Sequence, residues 1–257
     1  MSEIINYERR DAVAVITLNR PDSMNAFTTE LRAELASALQ RAGDDDGVRV
    51  VVLTGEGRCF SAGADLKDSK VDRPVTEILQ VEYRPVQEAI ASMPKPVIAA
   101  VPGSAAGIGL SIALNCDLLI MADNAFLLSP FTTISLVPDG GLNWLLVKQL
   151  GYRRAFQLSV ESERIPADRC VELGLANKTV PAEELQGAAL EWAQALSQRA
   201  PLSLAATKKA MRHAADYDYA STYDIEAELQ GELLGCEDNR EGIQAFFEKR
   251  APKFKGK

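Results

Sequence analysis

The stretch from Pro96 to Asp117, PVIAAVPGSAAGIGLSIALNCD, constrains this chain more than any other. Val97–Val101 is an unbroken apolar run of strand length, the pattern of a buried strand. Gly103, Gly107 and Gly109 follow, and an apolar helical run continues to about Cys116. Glycines at such a junction let the backbone come close to a ligand. The helix that follows turns its first unpaired N–H groups toward whatever sits there. The junction is therefore a place to stabilise negative charge. A second small-residue loop, Cys59-Phe60-Ser61-Ala62-Gly63-Ala64-Asp65, also follows a strand. Two such loops can supply two backbone donors to one oxygen.

The flanking segments alternate between strand and helix. Ala12–Leu18 reads as a strand ended by the turn Asn19-Arg20-Pro21-Asp22. Thr28 is placed to cap a helix in which Leu31, Leu35, Ala38, Leu39 and Ala42 follow a helical period, with Glu30 favourable in its first turn. Val48–Thr54 is a second strand, which makes a right-handed βαβ unit. Asp68–Arg73 is polar and expected to be mobile. A helix is expected from about Val75 to Ser92, stopping before Pro94. Short strands follow near Leu118–Met121 and Ala125–Leu128, then a long loop from Pro130 to Gly141 and a helix over Leu142–Leu150 closed by Gly151. Further short helices are expected at Arg153–Val160 and Ala167–Leu173, and a strand at Leu175–Val180. From Ala182 onward the pattern is helical, with breaks near Pro201, Tyr217–Tyr219 and Asp238. The class is α/β with a helical C-terminal region.

Several chemistries are disfavoured. A net charge of -8 argues against a broad nucleic-acid surface. The first residues hold no apolar signal core, and no apolar run approaches the ~18 residues of a membrane span. Cys59, Cys116, Cys170 and Cys236 form no CxxC pair, and each reads as a small buried hydrophobe in a reducing compartment. A cytoplasmic protein with no metal site is expected. Gly103-x-x-x-Gly107-x-Gly109 resembles a dehydrogenase turn, but it lies far from the first strand and no Tyr-x-x-x-Lys accompanies it. There is no P-loop and no G-x-S-x-G elbow. The single histidine, His213, sits in a charged helix and reads as a solvated residue.

The stretches Leu18–Phe27 (LNRPDSMNAF), Leu53–Lys67 (LTGEGRCFSAGADLK), Lys95–Asp117, Val137–Gly141 (VPDGG) and Phe246–Gly256 (FFEKRAPKFKG) together resemble the crotonase family of enoyl-CoA hydratases and isomerases. The resemblance implies a spiral of repeated ββα turns over residues 1–198. It also implies a helical oligomerisation region over residues 199–257, building homotrimers that often pair into hexamers. It implies an acyl-CoA thioester as ligand, with coenzyme A arriving as part of the substrate and no separate cofactor. The N–H groups of Ala64 and Ile108 match the family's oxyanion hole, in agreement with the two-loop reading above. By the same resemblance the coenzyme lies along Asn25, Ala26 and the following Phe27, and along Ser61, Ala62, Gly63, Ala64, Asp65 and Leu66, with Gly107 in the turn. Arg20, Lys67, Lys253 and Lys255 are candidates for its 3′-phosphate, the last two from a neighbouring subunit.

Two departures from the family pattern set the functional expectation. Hydratases of the family carry one glutamate just inside the central helix and another after a proline about twenty residues later. Here those positions are Ser111 and Phe131. Neither replaces a carboxylate as general acid or base near pH 7. The acid left in the region is Asp139, in Val137-Pro138-Asp139-Gly140-Gly141. Within the family, LVPDGG…WLL and the tail resemble most the 1,2-epoxyphenylacetyl-CoA isomerase type and related single-aspartate enoyl-CoA isomerases. Phe131, Leu136, Val137, Leu142 and Trp144 are expected to give Asp139 an apolar neighbourhood that raises its pKa, with Phe131 lining the substrate pocket. The expectation is an isomerase in which Asp139 shuttles a proton while Ala64 and Ile108 hold an enolate. The alternatives are a hydratase or hydrolase whose water is held by Ser111 or Glu82, and a non-catalytic acyl-CoA binder.

Overall fold

The computed structural model describes residues 3–68 and 73–257. Residues 69–72 of the polar stretch expected over Asp68–Arg73 lie outside the described residues. Ten strands are described: β1 (Ile5–Arg10), β2 (Val13–Leu18), β3 (Val50–Gly55), β4 (Cys59–Ser61), β5 (Val97–Val101), β6 (Ser104–Ala106), β7 (Leu118–Ala122), β8 (Phe126–Leu128), β9 (Ile165–Pro166) and β10 (Lys178–Val180). The helices are α1 (Thr29–Asp44), α2 (Val75–Ile78), α3 (Arg84–Ser92), α4 (Ile108–Asn115), α5 (Leu142–Leu150), α6 (Tyr152–Glu161), α7 (Ala167–Glu172), α8 (Leu185–Ser197), α9 (Pro201–Asp216), α10 (Tyr219–Leu233) and α11 (Glu237–Glu248). A π turn over Leu79–Tyr83 joins α2 to α3.

The strands form two sheets, β1-β2-β3-β5-β7-β10 and β4-β6-β8-β9. Three times the chain lays one strand in the larger sheet, the next in the smaller, and then makes a helix: β3-β4, β5-β6 and β7-β8. Successive turns pair in parallel, Val52 beside Ile98 and Ala100 beside Ile120. β3 and β5 are buried along their whole length, as their apolar runs require. The core is built on Leu53, Ile98, Leu110 and Ile112, with Leu31, Leu35 and Leu39 of α1 closing one side.

Local signals read correctly where they were strong. The Thr28 hydroxyl accepts from Leu31 N at 3.2 Å and caps α1. β5 and α5 occupy the residues their apolar patterns mark. β1 was not visible: INYERR reads as polar because only Ile5 is buried. It is the edge strand of a hairpin that Asp11 turns at φ 54°. β4 and β6 fall in the stretches expected as a small-residue loop and a glycine-rich turn, and β9 in a stretch with no expected element, because each is only two or three residues long. The last helix break falls at Leu234–Cys236, ahead of Asp238. Asp238 is itself buried and accepts from Lys255 N at 2.6 Å and Gly256 N at 2.7 Å, clasping the tail.

Cys59, Cys116 and Cys170 are buried, but Cys236 is only half-buried because its sulfur caps α11 by accepting from Asn239 N at 3.3 Å. His213 is half-buried: its ring stacks on Tyr217 with centroids 4.1 Å apart, and Nε2 lies 2.9 Å from the Ser221 hydroxyl. Asp117, below the central helix, anchors α9 through Lys208 at 2.7 Å and Arg212 at 3.1 Å. No described helix is long and apolar enough to cross a membrane.

Candidate active site

The two glycine-bearing loops meet. β4 and β6 pair in parallel, which lays residues 61–64 beside residues 105–108. A Cβ on Gly63 would lie 3.0 Å from Ala106 O and 3.6 Å from Ile108 N. A Cβ on Gly109 would lie 2.7 Å from the Ser61 Cβ. Close contact demands glycine at 109, and close contact together with a φ of 99° demands it at 63. Gly107, at φ 57°, turns the chain into α4.

Ala64 pairs with Phe27, and this bridge uses the groups on either side of it: Phe27 N donates to Gly63 O at 2.8 Å, and Asp65 N to Phe27 O at 3.0 Å. The Ala64 N–H is left out of the ladder. Ile108 is the first residue of α4, so its N–H has no carbonyl one turn behind it. Neither N–H donates to a described residue. Two unpaired backbone donors on touching loops are the geometry of an oxyanion hole.

Asp139 is held above the first turn of α4 by its own backbone. The Ser111 hydroxyl donates to the Asp139 carbonyl at 2.9 Å, and Gln87 Nε2 donates to the Gly140 carbonyl at 2.9 Å. Asn143 Nδ2 donates to Pro138 O at 2.6 Å. A Cβ on Gly140 would stand 2.1 Å from Ile108 Cδ1, so the loop rests directly on the donor-bearing residue. The Asp139 carboxylate is half-buried, and its Oδ1 is buried without a hydrogen-bond partner among the described residues. Burial pushes its pKa up to about 6. A carboxyl with that pKa can accept a proton near neutrality.

The apolar surroundings differ in part from expectation. Phe131 and Leu142 are buried, but Leu136, Val137 and Trp144 are 54%, 70% and 41% exposed. The 3-10 turn Phe131–Ile134 carries Leu136 and Val137 outward, and Trp144 faces out from α5. Next to Asp139, Ile108 Cδ1 lies against Gly140, and Leu142, as expected, is buried with its N–H donating to Asp139 O at 3.0 Å.

Several residues expected along the ligand have structural partners. Asn25 is fully buried; its Oδ1 accepts from Arg20 N at 2.8 Å, and its Nδ2 donates to Glu56 O at 3.0 Å and Cys59 O at 2.8 Å. The buried Ser61 hydroxyl donates to Asn25 O at 2.8 Å and accepts from Gly63 N at 3.1 Å. These side chains brace the donor loop from behind. Arg20 pairs with Asp65 at 3.2 Å and donates to Ala26 O, tying residues 20–26 to the loop. Ala62 is half-buried, and Leu66 and Lys67 are exposed on the loop's outer side. Lys253 and Lys255 lie on the tail, their backbone N–H groups held by Glu241 at 2.7 Å and Asp238 at 2.6 Å.

Neither alternative water-holder is free. The Ser111 hydroxyl is bonded to Asp139 O, and Glu82 is paired with Arg32 at 2.5 Å and with Arg73. Gln87 holds the Asp139 loop, and Tyr83 and the buried Arg32 pack on Phe27; none of the three is expected from the sequence. The one available signal was the four-residue spacing of Tyr83 and Gln87, which puts both on one helix face.

A family model described as enoyl-CoA hydratase/isomerase matches residues 8–257. A probable enoyl-CoA hydratase of Rhodobacter capsulatus is 41% identical over 98% of each chain. The 1,2-epoxyphenylacetyl-CoA isomerase of Escherichia coli is 37% identical over 100% of both. The solved structure of an enoyl-CoA hydratase from Bacillus anthracis superposes with a TM-score of 0.95 at 32% identity, covering 99% of this chain and 100% of that one. With its three ββα turns and its pair of free N–H groups, the chain belongs to the enoyl-CoA hydratase/isomerase family and carries the crotonase fold.

Proposed function

We propose that the protein is an acyl-CoA isomerase with Asp139 as its single acid–base group. The observation that carries this reading is the half-buried, partnerless Asp139 carboxylate over the Ile108 end of the donor pair. The positions expected to carry a hydratase's glutamates hold Ser111, which is bonded to the loop, and Phe131, which is buried.

In the proposed reaction the thioester oxygen sits on the Ala64 and Ile108 N–H groups. Asp139 takes a proton from the acyl chain beside the thioester carbonyl. The electron pair moves onto the oxygen as an enolate, which the two donors stabilise; one such donor is worth ~10²–10³ in rate. Asp139 then returns the proton at another carbon, shifting a 3-enoyl double bond to the 2-position, or the enolate assists rearrangement of a ring epoxide. The shuttle is balanced in protons and electrons and calls for no cofactor beyond the coenzyme A of the substrate. Arg20, Lys67 and the tail lysines Lys253 and Lys255 are proposed for the coenzyme phosphates, the tail acting across a homotrimer or a hexamer. A cytoplasmic setting is part of the same proposal, consistent with four cysteines that all remain thiols.

The test uses 3-enoyl-CoA and 2-enoyl-CoA separately in heavy-oxygen water, with chromatographic separation of the isomers before mass spectrometry and a parallel binding titration. A 2-enoyl product of unchanged mass from 3-enoyl-CoA supports the shuttle. Rapid label uptake from 2-enoyl-CoA instead makes the protein a hydratase, the activity named for the Rhodobacter relative. Binding without turnover of either substrate makes it a non-catalytic acyl-CoA binder.

A further inference from the structure

Tyr83 ends the π turn and is 4% exposed. Such turns recur at functional sites. Its ring packs edge-on against Phe27 with centroids 6.1 Å apart, and the Arg32 guanidinium lies 4.8 Å from its centre. Phe27 is the residue whose backbone pairs with Ala64. One helical turn beyond Tyr83, Gln87 grips Gly140 beside Asp139. Tyr83 therefore packs on the residue that pairs with Ala64, one helical turn from the residue that holds the Asp139 loop. The Asp139 charge is felt at the phenol, adding to the burial that holds its pKa at about 12 and keeps it protonated.

The phenol oxygen accepts from Arg32 Nη1 at 3.2 Å. A guanidinium has donors only, so this bond leaves the phenol's own proton unused. No described residue accepts it. Asp139 Oδ1 is the complementary case, a buried acceptor without a donor. Arg32 itself is fixed: Nε bonds Glu82 at 2.7 Å, Nη1 bonds Phe27 O at 3.2 Å, Nη2 bonds Thr29 Oγ1 at 2.8 Å, and Asp68 lies at 3.7 Å. Buried polar groups without partners are rare in folded proteins and ask for a ligand or another explanation.

We propose that Tyr83 is a further catalytic residue, whose O–H donates a hydrogen bond to an oxygen carried on the acyl group of the substrate. Arg32 is its positioning residue. The inference rests on Asp139 as the base and narrows the substrate class. The acyl group bears a hydroxyl, carbonyl or ring-ether oxygen in addition to its thioester carbonyl. No proton leaves Tyr83; the bond stabilises charge that develops on that oxygen. A purely hydrocarbon acyl group leaves the buried O–H unmatched and is turned over less well.

The test compares a hydrocarbon 3-enoyl-CoA with a chain-matched analogue bearing a hydroxyl or ring-ether oxygen. Wild type is expected to favour the oxygenated substrate by about tenfold or more in kcat/KM. Tyr83→Phe keeps the ring against Phe27 and Arg32. It is expected to lower kcat/KM for the oxygenated substrate roughly 10- to 100-fold and for the hydrocarbon no more than about threefold. Arg32→Gln should move the same ratio in the same direction. Equal losses on both substrates, no loss on the oxygenated one, or a wild-type preference for the hydrocarbon overturns the proposal. Should Tyr83→Phe fail to fold, 3-fluorotyrosine at position 83 replaces it. That stronger donor must change the rate with the oxygenated substrate alone, and an unchanged rate overturns the proposal. Asp139→Asn separates the two readings. If it abolishes both activities while Tyr83→Phe changes neither, only the Tyr83 proposal fails. If it stays active, Asp139 is not the base.

Discussion

The Ser111 hydroxyl donates to the backbone carbonyl of Asp139 at 2.9 Å, joining the first turn of the central helix to the loop that carries the proposed base. A family hydratase is expected to have a glutamate at the Ser111 position. Here a short side chain fastens the neighbouring loop. Ser111→Ala is expected to destabilise the protein by about 1 kcal/mol and to lower kcat roughly tenfold with little change in KM. Thermal unfolding together with steady-state kinetics checks this, and an unaltered kcat would show that the tie does not position Asp139.

Asp139 should make the protein less stable as pH rises. Its folded pKa of about 6 lies above the ordinary aspartate value, so the folded state holds the proton more tightly than the unfolded chain. That contribution is fully present below about pH 4 and is lost as pH rises through about 6. Asp139→Asn should match wild type at low pH and exceed it by on the order of 2 kcal/mol above pH 7. Urea unfolding across pH measures the gap, and a gap that does not widen with pH would contradict a desolvated carboxylate.

In the proposed mechanism the same carboxylate sets the pH–rate profile. Isomerase kcat/KM is expected to rise with pH, reach half its plateau near pH 6, and stay flat to pH 8. Half-activity at the pKa of an ordinary aspartate would mean that the site is wetter than its buried Oδ1 implies.

Gly140 has no room for a side chain. An added Cβ would meet Ile108 Cδ1 at 2.1 Å, and the residue sits at φ 61°. Gly140→Ala is expected to cost about 1–3 kcal/mol of stability and to reduce kcat by more than tenfold by lifting Asp139 from the donor pair. A folded variant with full activity would separate the loop from the chemistry.

Asn25 tests the brace behind the donor loop. Asn25→Ala removes three side-chain hydrogen bonds at a fully buried position. It is expected to destabilise the fold by about 2–4 kcal/mol and to raise KM for acyl-CoA. A drop in melting temperature without any change in KM would confine Asn25 to folding.

What the sequence by itself determined is whatever follows from neighbours a few residues apart. Val97–Val101 had to be a buried strand because five apolar residues in a row suit no exposed element. Thr28 had to cap α1, since a hydroxyl there meets the third N–H onward. The glycines at 63, 107 and 109 marked two loops of close approach, and the residues at 111, 131 and 139 singled out one acid. The tertiary structure decided everything that depends on partners far along the chain. Only the meeting of β4 with β6 shows that Gly63 touches the Ile108 turn. Asn25 and Ser61 are expected beside the ligand by resemblance, and only pairing across about thirty residues shows that their side chains brace the donor loop. Arg32 is buried because Glu82, fifty residues on, pairs with its guanidinium, a partner that no local pattern marks. Local periodicity reports which face of an element is apolar; only the fold sets which polar group meets which, and so leaves Asp139 Oδ1 and the Tyr83 proton without partners among the described residues.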